Sequence, residues 1–223
     1  MIEVSGLTKA YNKHQTAVSA VDNLNLSIDE GDFMVVHGPS GSGKTTLLLT
    51  LGGMLRPTAG TVSYKGEDIY ALSAARRNRY RKYEIGFIFQ KFFLIPYLST
   101  FDNIRLPLAL RRNGCNTEKD NADKTIRTVA RRLGIAERLN HRPAELSAGE
   151  QQRVAMARTL AGGPAVILAD EPTGNLDDRN THILAECLTE ENRNGRTVIL
   201  VTHNKDLLGL GNRSLRLDSG KVG

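Results

Sequence analysis

The chain has 223 residues, 40% hydrophobic and 24% charged, with 30 Lys and Arg against 24 Asp and Glu for a net charge of +6. That length suits one large α/β domain carrying an insertion, and the composition excludes a disordered, collagenous or coiled-coil chain. Its longest apolar runs, such as Phe33-Met34-Val35-Val36, are about four residues against the roughly 20 of a membrane span. In chain order, short apolar runs predict strands at 2–7, 24–28 and 33–37, a helix at 44–55, a strand at 61–64, a helix at 73–83 and a strand at 85–89. Helices are expected at 101–111, 117–133 and 150–161. A strand at 166–169, a helix at 180–194, a strand at 198–201, a short helix at 204–208 and a strand at 214–217 complete the chain. The first 35 or so residues and 61–64 read as antiparallel edge strands.

Strands alternating with helices argue for a mostly parallel sheet covered on both faces. The alternation breaks between about 91 and 161, which reads as an α-helical subdomain inserted between two parts of an α/β core, about 1–90 and 162–223. No repeat or linker divides the chain, so 1–223 is expected to form a single domain. Met1-Ile2-Glu3-Val4-Ser5 has neither the basic nor the apolar part of a signal peptide. Cys115 and Cys187 stand apart with no CxxC spacing, which reads as two reduced thiols of a cytosolic protein. The excess of positive charge allows an anionic partner without choosing among nucleotide, nucleic acid and lipid.

The strongest chemical signal is Gly38-Pro39-Ser40-Gly41-Ser42-Gly43-Lys44-Thr45, followed by Thr46. It satisfies G-x-x-x-x-G-K-[ST], after an apolar strand and before a Leu-rich helix. Glycines let backbone N–H groups turn inward around phosphate oxygens, and the helix aims its positive end at them. Lys44 would reach the β- and γ-phosphates of a nucleoside triphosphate and the Thr45 hydroxyl would hold Mg²⁺. A second signal is the strand Val166-Ile167-Leu168-Ala169 ending in Asp170-Glu171. Beside a phosphate loop, Asp170 reads as an Mg²⁺ ligand. Glu171, pointing the other way in an extended chain, reads as the group that polarises water.

A third signal, Leu146-Ser147-Ala148-Gly149-Glu150-Gln151-Gln152-Arg153, makes the chain resemble the ATP-binding subunit of an ABC transporter, whose signature reads LSGGQ. The resemblance covers essentially the whole chain. It implies a P-loop NTPase (RecA-like) core with a small antiparallel β part and the inserted helical subdomain bearing the signature. Tyr11 would stack on adenine, with Val18 beside it. Gln90 would be the Q-loop residue that senses Mg²⁺, Leu176-Asp177 the D-loop, and His203 the histidine at the γ-phosphate. Catalysis would rest on Glu171, His203 and Lys44, and the metal on Thr45, Gln90 and Asp170. Two copies would sandwich ATP head to tail, each P-loop facing Ser147, Ala148, Gly149 and Glu150 of the other.

The signature departs from the pattern at Ala148 and Glu150. Ser147-x-x-Glu150 satisfies a helix capping box, which glutamate serves as well as glutamine. Ala148 adds a Cβ where backbone should approach the γ-phosphate in trans, which puts the strength of the ATP-bound dimer in doubt.

Leu51-Gly52-Gly53-Met54, Gly86-Phe87-Ile88-Phe89-Gln90 and Asp170-Glu171-Pro172-Thr173-Gly174-Asn175-Leu176-Asp177 look most like the lipoprotein-releasing and macrolide-export branch, with the cell-division ATPase of that branch close behind. The resemblance implies an integral membrane permease as partner and a peripheral place on the cytoplasmic face of the inner (plasma) membrane, with no direct nucleic acid. The rival, a soluble ABC-type ATPase acting on DNA or ribosomes, would carry coiled-coil insertions, a second ATP-binding domain or zinc-binding cysteines. Phe92-Phe93-Leu94-Ile95-Pro96-Tyr97 reads either as core of the helical lobe or as an exposed groove for a partner's helix. Arg76-Arg77-Asn78-Arg79-Tyr80-Arg81-Lys82 reads first as a solvated helix face, then as a contact to an anionic leaflet or permease, and last as a nucleic-acid patch.

Overall fold

In the computed structural model, which describes residues 1–13, 16–111, 117–174 and 176–223, apolar alternation along the strands sets the layering. The chain runs β1 (Ile2–Lys13), β2 (Thr16–Ile28), β3 (Phe33–His37), α1 (Lys44–Leu51), β4 (Ala59–Tyr64), β5 (Glu67–Asp68), α2 (Ala74–Tyr83) and β6 (Ile85–Phe89). It continues through α3 (Thr100–Arg111), α4 (Thr117–Arg132), α5 (Ala148–Ala161), β7 (Val166–Asp170), α6 (Asp178–Arg193), β8 (Thr197–Val201), β9 (Arg213–Asp218) and β10 (Lys221–Val222). One sheet has the order β10-β9-β3-β8-β7-β6, and β9, β3, β8, β7 and β6 run parallel. The other is antiparallel, in the order β2-β1-β4-β5.

Successive residues of a strand face opposite sides. Phe33, Val35, Ile167, Ala169, Val198 and Leu200 therefore pack with residues of α3 to α6, among them Ile104, Ile126, Val154 and Leu184. Met34, Val36, Val166, Leu168, Ile199 and Val201 pack on the other side with Leu47, Leu48, Leu51, Tyr80 and the small sheet. Burial on both faces explains why these strands read as unbroken apolar runs. The helical segment shares its apolar core with one face of the large sheet.

Several boundaries differ from the sequence expectation. The helix expected at 44–55 stops at Leu51, because Gly52 and Gly53 follow and Gly53 takes φ +69 to fold the chain back. The first hairpin is longer than 2–7 and 24–28: its polar outer stretch pairs through to Lys13 and Thr16. The segment expected as a helix at 204–208 is a 3₁₀ turn, Lys205–Leu210. The two-residue strands β5 and β10 carried no apolar signal. Cys187 is a buried free thiol, and Cys115 lies outside the described residues.

Candidate functional site

The parallel order places three loops side by side. Asp170 is in register with Val201, and Val201 with Val36, so the ends of β7, β8 and β3 sit at one height. The loops leaving those ends carry Glu171, His203 and residues 38–45, and a parallel sheet presents its ligand sites at the carboxyl ends of its strands.

The phosphate loop needs its glycines for space as much as for conformation. Gly38, Gly41 and Gly43 have φ of +145, +79 and +97, in the left-handed half of the map. A Cβ on Gly38 would overlap the Leu217 carbonyl oxygen, and one on Gly43 would overlap that of Ala20. Ala20 is the extra residue of a bulge in β2, between the pairs Ala10↔Ser19 and Lys9↔Val21. The turn between β9 and β10 braces the loop from behind, since Gly220 N donates to Ser42 O at 3.1 Å. Lys44 Nζ donates to the carbonyls of Gly38 at 2.9 Å and Pro39 at 2.8 Å, which folds the ammonium back across the loop.

A cavity of about 270 Å³ opens beside this loop, lined by Ala20, Ser40, Gly41, Gly43, Lys44, Thr45, Thr46 and Glu171. Thr45 Oγ1 donates to Asp170 Oδ1 at 3.0 Å. Burial pushes the Asp170 carboxyl above the usual range; the Thr45 hydrogen bond acts against that shift and the Glu171 charge adds to it. A neighbouring cation would reverse that direction.

Glu171 departs from the expected extended conformation, with φ +46. β7 ends one residue earlier, and the left-handed turn is what brings Glu171 onto the cavity wall. Its Oε2 lies 2.7 Å from His203 Nδ1 and accepts from His203 N at 3.2 Å.

The residues fit a triphosphate with a divalent cation. Among the described residues the buried Ser42 hydroxyl has no hydrogen-bond partner, which suits a donor to a phosphate oxygen. Among the described residues no group of three or more His, Cys, Asp or Glu could hold a metal. A cation at Thr45 and Asp170 would take its remaining oxygens from phosphate and water, as Mg²⁺ does.

Of the other residues singled out, Tyr11 and Val18 are opposed across the first hairpin, 44% and 54% exposed, near Ala20 on the cavity wall. The Lys9 ammonium sits 5.4 Å from the Tyr11 ring centroid. Gln90 is exposed and lies over Gly174, where a Cβ would come 2.7 Å from its Nε2; it hydrogen-bonds to neither Thr45 nor Asp170 among the described residues. Asp177 caps α6, accepting from Asn180 N at 2.8 Å, and that backbone bond pulls its carboxyl below the usual range. Asn175 lies outside the described residues.

The signature opens α5. Ser147 is the N-cap, and the capping box with Glu150 is formed in both directions, Glu150 N to Ser147 Oγ at 3.3 Å and Ser147 N to Glu150 Oε2 at 2.9 Å. Ala148 is the first helical residue, exposed and without positive φ, so its methyl strains nothing within the chain. Gly149 is the crowded position: it is buried against the Asn180 side chain. Sequence reasoning passed over the residues that wire this helix to its surroundings. Buried Gln152 donates to Pro172 O at 2.8 Å, and Arg153 reaches Asn180 Oδ1. Arg158 holds the carbonyls of Phe93 at 2.7 Å and Phe92 at 2.9 Å. Gln and Arg recurring along one helix after the signature were the available sign.

That grip splits the Phe92–Tyr97 run. Phe93 and Tyr97 are 62% and 74% exposed, whereas Leu94 packs on the core. Arg158 also edges an apolar groove of about 600 Å³, lined by Phe87, Leu106, Pro107 and Leu110 and bordered by Arg81. Most of the basic run on α2 serves structure. Arg76 pairs with Glu67 at 2.9 Å, Arg81 donates to Gly53 O at 3.1 Å, and Arg79 and Lys82 sit over Tyr83.

Comparison with known proteins agrees with this geometry. A family profile described as ABC transporter matches residues 21–174. The chain is 40% identical over 223 residues to the lipoprotein-releasing system ATP-binding protein LolD of Geobacter metallireducens, covering 100% of this chain and 97% of that protein. It is 39% identical over 222 residues to the macrolide export ATP-binding/permease protein MacB of Bdellovibrio bacteriovorus, covering 100% of this chain and 33% of that longer protein. Among solved structures it resembles the ATP-binding cassette MJ0796, a dimer in a post-hydrolysis state bound to ADP and Pi. The TM-score is 0.93 at 36% identity, covering 100% of this chain and 96% of that one.

Proposed function

The chain belongs to the ABC transporter family as an ATPase subunit that energises a membrane transporter, and from that premise we propose how its residues divide the work and which partners it serves. The observation that carries the reading is the meeting of two pairs at one cavity, Thr45 on its wall with Asp170 at 3.0 Å and Glu171 on its wall with His203 at 2.7 Å.

Lys44, the loop N–H groups and the Ser42 hydroxyl bind the phosphates and offset the charge that develops as the γ-phosphoryl leaves. Thr45 and Asp170, joined by Gln90, hold Mg²⁺, which when bound screens the charge of the phosphate oxygens. Glu171 orients the attacking water and takes its proton, and His203 holds both Glu171 and the γ-phosphate in line. Tyr11 and Val18 cover the adenine. Two copies close head to tail, each cavity completed by Ser147, Ala148, Gly149 and Glu150 of the other, and Asp177 lies at the joint.

The permease is of the lipoprotein-release or macrolide-export type. Its helix occupies the apolar groove, an arrangement supported by exposed Leu110 on the groove wall and by exposed Phe93, whose carbonyl is held by Arg158 at the groove's edge. Among the described residues no helix is long and apolar enough to cross a membrane. In this reading the permease brings the chain to the membrane, peripherally on the cytoplasmic face.

The test is Glu171→Gln. ATP affinity should be kept, turnover should fall at least ~100-fold, the scale of a general base, and an ATP-bound dimer should accumulate. Wild-type turnover in this variant would sink the assignment.

A further inference from the structure

The signature carries a carboxylate at position 150, on the helix end that faces the γ-phosphate of a second copy in the sandwich proposed above. An uncompensated negative charge there opposes an incoming phosphate. It also competes for the hydroxyl the phosphate needs, because Ser147 Oγ lies 3.0 Å from Glu150 Oε2 and donates its proton to it.

The surroundings of Glu150 answer its charge. Oε2 is taken by the capping box, through Ser147 N at 2.9 Å and Ser147 Oγ at 3.0 Å. Oε1 faces the 3₁₀ turn Ala136–Arg138, where Arg138 Nε donates to it at 2.7 Å. Among the described residues Arg138 is the only cation paired with Glu150. Its hydrogen bond, followed by the one from Ser147 N, pulls the carboxyl down to about 2, so Glu150 carries its charge at neutral pH and that charge has to be balanced. Among the described residues the Arg138 side chain makes no other hydrogen bond or ion pair. The Arg138 side chain is 44% exposed, and exposed pairs of this kind add little to folding.

We propose that Arg138 is a positioning residue for the signature: by binding Oε1 of Glu150 and cancelling its charge, it removes the repulsion that would keep the γ-phosphate of ATP held by a second copy away from the α5 N-terminus. The inference rests on the head-to-tail reading. It goes beyond that reading in assigning a task to a residue outside the signature, made necessary by the glutamate within it.

The experiment measures the ATP-dependent dimer by sedimentation velocity in the slow Glu171→Gln parent, with ATP affinity and melting temperature recorded alongside. Arg138→Gln should weaken the dimer about four- to twenty-five-fold, since each of the two equivalent sites loses the roughly two- to five-fold effect of one screened, exposed charge. Monomer ATP affinity should not change. Raising salt to ~0.5 M should shrink the deficit. Adding Glu150→Gln to Arg138→Gln should restore the dimer, because with no carboxylate there is nothing to cancel, and Arg138→Lys should keep most of the parent's strength. If Arg138→Gln also lowers the melting temperature, the Glu150→Gln rescue and the Lys variant still decide between charge and scaffold. A dimer unchanged by Arg138→Gln, or one equally weak with and without Glu150→Gln, overturns the inference while the sandwich stands. A parent that forms no ATP-dependent dimer overturns the sandwich, and this inference with it.

Discussion

Gly149→Ala separates helix propensity from packing at the signature. Alanine is the better helix former by up to about 1 kcal/mol, so propensity alone predicts a gain in stability. The structure predicts a loss. A Cβ at Gly149 would lie 2.5 Å from Cγ, Nδ2 and Oδ1 of Asn180. Asn180 is pinned there: its Nδ2 donates to Asp177 Oδ1 at 2.7 Å, and Arg153 reaches its Oδ1. Making room means rotating Asn180 and giving up both interactions, at about 1 kcal/mol each, with a further cost for a part-buried Arg153 left without its partner. Against the gain in propensity the net is about 1–3 kcal/mol, which for a chain of this length lowers the melting temperature by roughly 3–10 °C. Circular dichroism melts of Gly149→Ala, Asn180→Ala and the double variant test this. With Asn180 already truncated, Gly149→Ala should cost little, a coupling of about 1 kcal/mol or more. A Gly149→Ala protein as stable as wild type, or one equally destabilised in both backgrounds, would refute the argument.

Ala148→Gly should lower the melting temperature by no more than roughly 2–4 °C, the helix-propensity cost of up to about 1 kcal/mol, because the Ala148 side chain is exposed. In the Glu171→Gln background the same change should strengthen the ATP-dependent dimer about five- to thirty-fold if the methyl crowds the phosphate, a 1–2 kcal/mol effect. Asp170→Asn should melt higher than wild type at pH 7 without nucleotide. The raised pKa of Asp170 means that the folded chain favours its protonated form. That contribution is full below the unfolded value near 3.9 and is lost as pH rises through the folded value. The advantage of the variant should therefore vanish in melts taken near pH 3, and an advantage independent of pH would contradict the assignment. Phe93→Ala with Tyr97→Ala should leave the fold within about 0.5 kcal/mol but abolish sedimentation with membranes bearing the permease. Leu94→Ala, cut from a core contact, should instead lower stability by about 2 kcal/mol or more; equal behaviour of the two variants would erase the distinction between exposed and packed residues in this run.

The phosphate loop, the Asp170-Glu171 pair and the signature were legible because each is a run of neighbours whose chemistry is complete in a few residues. What the sequence left open at Phe92–Tyr97 was a question of which side chains face inward. An apolar run has the same composition whether it packs or protrudes, and only the folded chain, with Arg158 holding two of the run's carbonyls, turns Phe93 outward and Leu94 onto the core. Glu171 was expected in an extended chain, because a single residue at φ +46 leaves no periodic trace in sequence.

By itself, then, the sequence determined the alternation of strands and helices, the order of the motifs and the chemistry each motif brings, since apolar period and short-range spacing are local properties. Only the tertiary structure decided that Glu171 meets His203, that Thr45 meets Asp170, that Gly149 rather than Ala148 is the position with no room for a methyl, and that Arg138 answers the charge of Glu150. These partners lie on different strands, turns and helices. They are brought together by the parallel order of β3, β8 and β7 and by the packing of α5 against the α6 end, and long-range geometry of that kind is a property of the folded chain that no window of residues contains.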